Sequence, residues 1–177
     1  QMGHYSVRRR FVEVFLDTSG GRVRYPQDYV GVMMLMEKIE RGAGRVNISE
    51  LTPSDSAEPE ITGGYIWKKE KDSAGDLNFV TAGGNGFAGQ SLKIHEPKPR
   101  EITTNQINWL RNHLNQFESA LYAANWLSAT GAAHNSRYID VDSFVDQHWI
   151  VEFTKNIDGY RLGNYMQKDR GGKIKMD

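Results

Sequence analysis

The chain contains no cysteine. That absence excludes a disulfide framework, a Cys-ligated zinc site and thiol catalysis together. It leaves the compartment open, because secreted domains of this size also fold without disulfides. Charge of one sign is missing too: 22 Lys plus Arg balance 22 Asp plus Glu, for a formal net charge of zero. A protein that neutralises many phosphates of a nucleic acid needs a basic surplus, so nucleic acid is not expected as a partner. No apolar run approaches the roughly 18–20 residues that span a bilayer, and the start, Gln1-Met2-Gly3-His4-Tyr5, lacks an apolar signal core. No membrane partner is expected either. The sequence also has no internal repeat and no low-complexity tract.

What is present suits one domain. A length of 177 residues, with 38% hydrophobic and 11% aromatic, is enough for one sizeable core and too little for two. Strand pattern begins almost at the first residue, over Val7 to Leu16, and resumes at Gly172-Lys173-Ile174-Lys175-Met176-Asp177 where the chain stops. Both ends are therefore expected to be interior points of a larger domain.

The first hundred residues read as β structure and loops. Phe11-Val12-Glu13-Val14-Phe15-Leu16 and Tyr29 to Met36 are β-branched and aromatic runs that predict a long hairpin, with a lengthy connection over Asp17 to Asp28. Arg45 to Ile48 is a brief extended piece, and Leu51 to Glu60 is a solvated loop. Gly63 to Lys69 restarts strand, and Ser91 to His95 alternates as a strand until Pro97 and Pro99 end it. Between them, Glu70 to Gln90 is polar and glycine-rich.

From Thr103 the period changes. A hydroxyl N-cap precedes Ile107, Leu110, Leu114, Phe117, Leu121 and Ala124, a helical stripe held for about five turns. Asp140 or Asp142 caps a second predicted helix through Phe144, Val145, Trp149, Ile150 and Phe153. Its apolar residues run most of the way round, which predicts burial on several sides. Asn156 to Asn164 then forms a polar loop before a small hairpin of Tyr165 to Lys168 and Lys173 to Met176.

Few residues offer chemistry. Gly83 to Gly89 could present backbone amides to a phosphate, but it fits neither the P-loop nor the dinucleotide pattern, and a mobile surface loop is expected. The five histidines show no metal-ligand spacing, and the Asn47-Ile48-Ser49 sequon is a triplet that arises often by chance. The loop after the second helix is more informative, because it offers Asp158 and, six residues on, Asn164. Phosphoryl transfer needs an acid to orient and deprotonate the attacking hydroxyl and an oxygen ligand to hold Mg2+ on the phosphates. Protein kinases supply both from one loop at similar spacing, after a helix and before a hairpin. A capping Asp or Asn in a tight loop accounts for the same pattern.

Several separate segments, in order, resemble the spore coat CotH kinase family. They are Tyr29 to Ile39, Arg45-Val46-Asn47-Ile48, Ile61 to Ile66, Tyr138 to Asp146, Lys155 to Arg161 and Tyr165 to Asp169, which together cover nearly the whole chain. The resemblance implies an α+β, atypical protein-kinase-like fold, with a β-rich part over residues 1–100 and a helical part with a small C-terminal hairpin over 101–177, as a piece of a larger domain. It implies transfer of the ATP γ-phosphate, with Mg2+ or Mn2+, to serine of a secreted, cell-surface or spore coat protein. Asp158 matches the catalytic aspartate of an Asn-x-Asp motif, and Asn164 a metal-binding asparagine. Glu37 matches a strand-end glutamate that either faces the nucleotide or holds Lys38 or Arg45.

The resemblance also implies a Trp-Asp-x-Asp/Asn metal motif, expected past Asp177, and a phosphate-binding basic segment, expected upstream of the Phe11 strand. Residues 1–177 alone are therefore expected to be inactive. The competing expectation is a noncatalytic coat-assembly or binding scaffold on the same fold. If the kinase reading holds, Asp158 and Asn164 should share one cleft.

Overall fold

The computed structural model describes residues 5–127, 129–130 and 134–176. Their architecture is mixed α+β, with seven strands in two antiparallel sheets and two α-helices. The chain divides into two compact units, residues 5–39 and residues 40–176.

The smaller unit is the long hairpin. β1 (Arg9–Phe15) and β2 (Tyr29–Met36) pair antiparallel from Arg9 opposite Met36 to Phe15 opposite Tyr29. The pairing slips between Val14 and Phe15, where Val14 faces Gly31, whose φ of 134° no ordinary side chain adopts readily. The expected long connection is closed at its base by the Leu16 amide donating to Asp28 O at 2.8 Å.

The larger unit is one five-stranded sheet against two helices. β3 (Tyr65–Lys69), β4 (Asn78–Val80), β5 (Ser91–Glu96), β6 (Asn164–Lys168) and β7 (Ile174–Met176) lie in the order β4-β5-β3-β6-β7. The C-terminal hairpin thus joins β3 at the centre of the sheet, so the sheet draws strands from both sides of residue 100. The core packs Tyr65, Trp67, Leu92 and Ile94 of the sheet against Leu110 and Leu114 of the first helix. Close approach fixes the junction beside β3: a Cβ on Gly63 would meet the backbone of Asp169 and Arg170 at 2.0 Å.

α1 (Thr104–Leu121) starts at the expected cap. Thr103 Oγ1 accepts from the Gln106 amide and Gln106 returns the bond to the Thr103 amide, a complete capping box. The helix stops at Leu121, so Ala124 falls outside it and is exposed. Gln106 and Glu118 are as buried as Leu110 and Leu114, two polar members that the apolar stripe did not include.

α2 (Val141–Thr154) is capped by Asp140, whose side chain accepts from the Ser143 amide. Its expected burial on several sides is not what the structure has. Val145, Trp149, Ile150 and Phe153 are exposed, Phe153 to 89%, while Ser143 and Val151 are the buried positions. The apolar pattern gives α2 one more apolar face than the sheet covers.

Candidate functional site

Side chains alternate across a strand and antiparallel partners share a face, so register decides which residues of the sheet meet. Lys69 of β3 stands opposite Asn164 of β6, and Trp67 opposite Met166. Met166 in turn faces Met176 of β7. On the other side of β3, Leu92 faces Phe79, which brings Gln90 and Thr81 to the same face two residues further along. These side chains, Phe79 excepted, line a cavity of about 240 Å3, walled by Leu114, Phe117 and Glu118 of α1 and by Phe144 and Gln147 of α2. Its floor is apolar. Its polar groups, Thr81, Gln90, Lys69 and Asn164, form a row across one end of the sheet.

The row is internally bonded. Lys69 Nζ donates to Gln90 Oε1. The Gln90 amide donates to Thr81 Oγ1 at 2.8 Å, and Thr81 Oγ1 donates to Glu118 Oε1 at 2.6 Å. Glu118 Oε2 accepts from the Gly83 amide at 2.8 Å. At the other end Asn164 Oδ1 accepts from Gln147 Nε2 at 3.1 Å, with Asn164 only 6% exposed. The glycine-rich segment is tied to α1 at Gly83, while Asn85 to Ala88 lies exposed, as expected of a surface loop. Gly83 has φ of 72° and a Cβ there would meet Phe87 O at 2.2 Å, while Phe87 stacks on Tyr122 at 4.9 Å.

Asp158 sits on the loop that leaves α2. Lys155 ends the helix in the left-handed region at φ 51°, and Asn156 Oδ1 accepts from the Asp158 amide at 3.2 Å. This gives the Asn-x-Asp triplet a local reason: its Asn shapes the turn that presents its Asp. Gly159 packs on Val151, and Gly159 and Tyr160 contribute to the cavity wall. The Asp158 carboxylate is about half exposed, at 53%, and pairs with Arg161 at 3.6 Å. Asn164 thus lines the cavity; Asp158 is not among its lining residues, although the next two residues, Gly159 and Tyr160, are.

Glu37 belongs to the hairpin unit. Arg8 holds it bidentately, Nη2 to Oε1 at 2.5 Å and Nε to Oε2 at 3.0 Å, and the Tyr5 hydroxyl lies 3.4 Å from Oε2. Arg45 pairs with Glu40 at 2.8 Å. Among the described residues no group of three or more His, Cys, Asp or Glu could hold a metal ion, and no helix is long and apolar enough to cross a membrane.

Lys69, Glu118 and Gln147 are site residues that the sequence did not single out. Lys69 lies in a Lys-Lys-Glu-Lys run that reads as a charged strand exit, and its partner Asn164 is remote in the chain. Glu118 and Gln147 read as solvent-facing helix positions.

The family model described as CotH kinase protein matches residues 1–176. No curated protein and no solved structure matches the chain.

Proposed function

The chain belongs to the CotH kinase family, and on that premise we propose that residues 40–176 are part of a kinase-like domain transferring the γ-phosphate of ATP to serine of a protein. The cavity beside β3 and β6 takes the nucleotide. The observation that carries this reading is the register of Lys69 against Asn164, which sets a cation and an amide oxygen side by side above an apolar floor. Catalysis of phosphoryl transfer is mostly positioning and charge neutralisation, so a lysine beside a metal-binding oxygen is the expected minimum at the phosphate end.

Asn164 Oδ1 is an oxygen donor of the kind that Mg2+ or Mn2+, as hard cations, prefer. Mg2+ is ordinarily held by one or two carboxylates together with substrate phosphates and water, so a protein-only cluster of three acids is not required. Bound there, the metal would neutralise charge developing on the phosphates. Asp158 is the general base: its half-exposed carboxylate is open to a serine hydroxyl brought by a protein substrate, and it takes the hydroxyl proton as the oxygen attacks the γ-phosphorus and the bond to the β,γ-bridging oxygen breaks, releasing ADP. Asn156 and Gly159 hold the turn in place. We assign Glu37 to fixing Arg8, since both of its oxygens are engaged by that guanidinium.

The test is phosphate transfer from ATP and Mn2+ by the full-length protein, beside Asp158→Ala. A loss of roughly 10²–10⁴-fold is expected for a general base. Equal incorporation by both removes Asp158 from the mechanism and leaves the noncatalytic scaffold reading.

A further inference from the structure

Glu118 is a buried carboxylate in the cavity wall with no basic partner among the described residues. It is 6% exposed, and its two hydrogen bonds come from a hydroxyl, Thr81 Oγ1, and a backbone amide, that of Gly83. A carboxylate has about four acceptor positions, and two neutral donors leave about half of them unused. Buried charge that is neither paired nor fully bonded is costly, and such groups mark places where a ligand completes the bonding.

Its position says which part of a ligand arrives there. Thr81 follows β4, at one side of the sheet, and Asn164 opens β6, with β5 and β3 between. Three strand spacings of ~4.8 Å separate the two ends of the polar row by roughly 14 Å. Resting on the proposed phosphate end at Lys69 and Asn164, a nucleotide laid along the row carries its base toward Glu118, over Leu92, Leu114 and Phe117. The group needed at that point is an N–H donor on a flat apolar ring.

We infer that Glu118 reads the nucleobase: it accepts a hydrogen bond from the exocyclic amino group of adenine and rejects guanine, whose carbonyl oxygen at the same ring position would face the carboxylate. Thr81 and the Gly83 amide hold the carboxylate in place. A hydrogen bond to a charged acceptor sets ATP over GTP by about 10–100-fold.

The experiment is equilibrium binding of ATP, GTP, purine riboside triphosphate and 3′-deoxyATP, each with Mg2+, to wild type and Glu118→Gln. The preference for ATP over both GTP and the amino-free analogue is expected in wild type. It should collapse to within about threefold in Glu118→Gln, whose amide can donate to the guanine oxygen as well as accept. An unchanged ATP:GTP ratio in the variant overturns the inference while leaving the nucleotide site standing. So does a variant whose loss falls on the sugar, discriminating less between ATP and 3′-deoxyATP. Absence of binding by every nucleotide to wild type overturns both this inference and the functional reading beneath it. Circular dichroism and the thermal midpoint of the variant establish that it is folded, and Glu118→Asp, which keeps the charge, should retain the adenine preference at reduced affinity.

Discussion

His113 shows at the scale of one residue how packing converts to a measurable pH dependence. Its ring is sandwiched between Trp109, stacked at 5.1 Å, and Tyr138, edge-on at 5.5 Å, and its Nε2 is buried without a hydrogen-bond partner. Burial pushes its pKa down to about 4, with the charges of Lys168 and Arg137 adding to the shift. The unfolded chain, with His near 6.5, therefore binds this proton first. The stability gained by keeping the ring neutral is complete above pH 6.5 and is lost as pH falls toward 4, up to roughly 3 kcal/mol. His113→Phe keeps the stack and should flatten urea-unfolding stability between pH 6.5 and 4.5. An unchanged slope there would mean that other groups carry it. The histidine was legible in the sequence only as a non-ligand; its environment comes from Tyr138, a neighbour across the fold. The same limit hid Lys69, whose charged surroundings in sequence give no sign of Asn164 opposite it.

Elements were legible where the signal is local. The Thr103 cap, the stripe of α1 as far as Leu121 and the bounds of β2 follow from neighbouring residues, and they stand as read. β4 was not legible, because Asn78-Phe79-Val80 is a three-residue strand inside a polar, glycine-rich stretch and depends on pairing with β5. α2 went the other way: its apolar residues were visible, but their period cannot say which faces have a partner. Phe153→Ser should accordingly change folding stability by less than about 0.5 kcal/mol in denaturant titration, as exposed substitutions do. A cost of several kcal/mol would show that the face is covered. The loop after α2 makes the opposite prediction. A Cβ on Gly159 would meet Val151 Cγ2 at 2.6 Å and Cγ1 at 2.9 Å, so Gly159→Ala must push the Asp158 turn away from the helix. Phosphotransfer by the full-length protein should fall at least tenfold while the nucleotide still binds; wild-type turnover would detach Asp158 from that turn.

At the scale of the molecule, the α+β class and the β-rich beginning could be read from the sequence, whereas the sheet order could not. β6 pairs with β3 across nearly a hundred residues, and that one pairing makes the site, since it sets Lys69 against Asn164 and Trp67 against Met166. Polar Gln106 and Glu118, which interrupt the apolar face of α1, turn out to have separate uses. Gln106 Nε2 ties the loop before β3 through Thr52 O at 2.7 Å and Asp55 O at 3.0 Å, and Glu118 faces the cavity. The proposed nucleotide site is this cavity. Titrating the chain with ATP and Mg2+ while following backbone and side-chain amide NMR signals locates the bound nucleotide. Shifts should concentrate on Trp67, Lys69, Gln147 and Asn164, and Lys69→Met should weaken binding about tenfold or more by removing a charge-assisted bond to phosphate. Shifts confined to residues outside the cavity, or none at saturating nucleotide, would rule out this cavity as the nucleotide site.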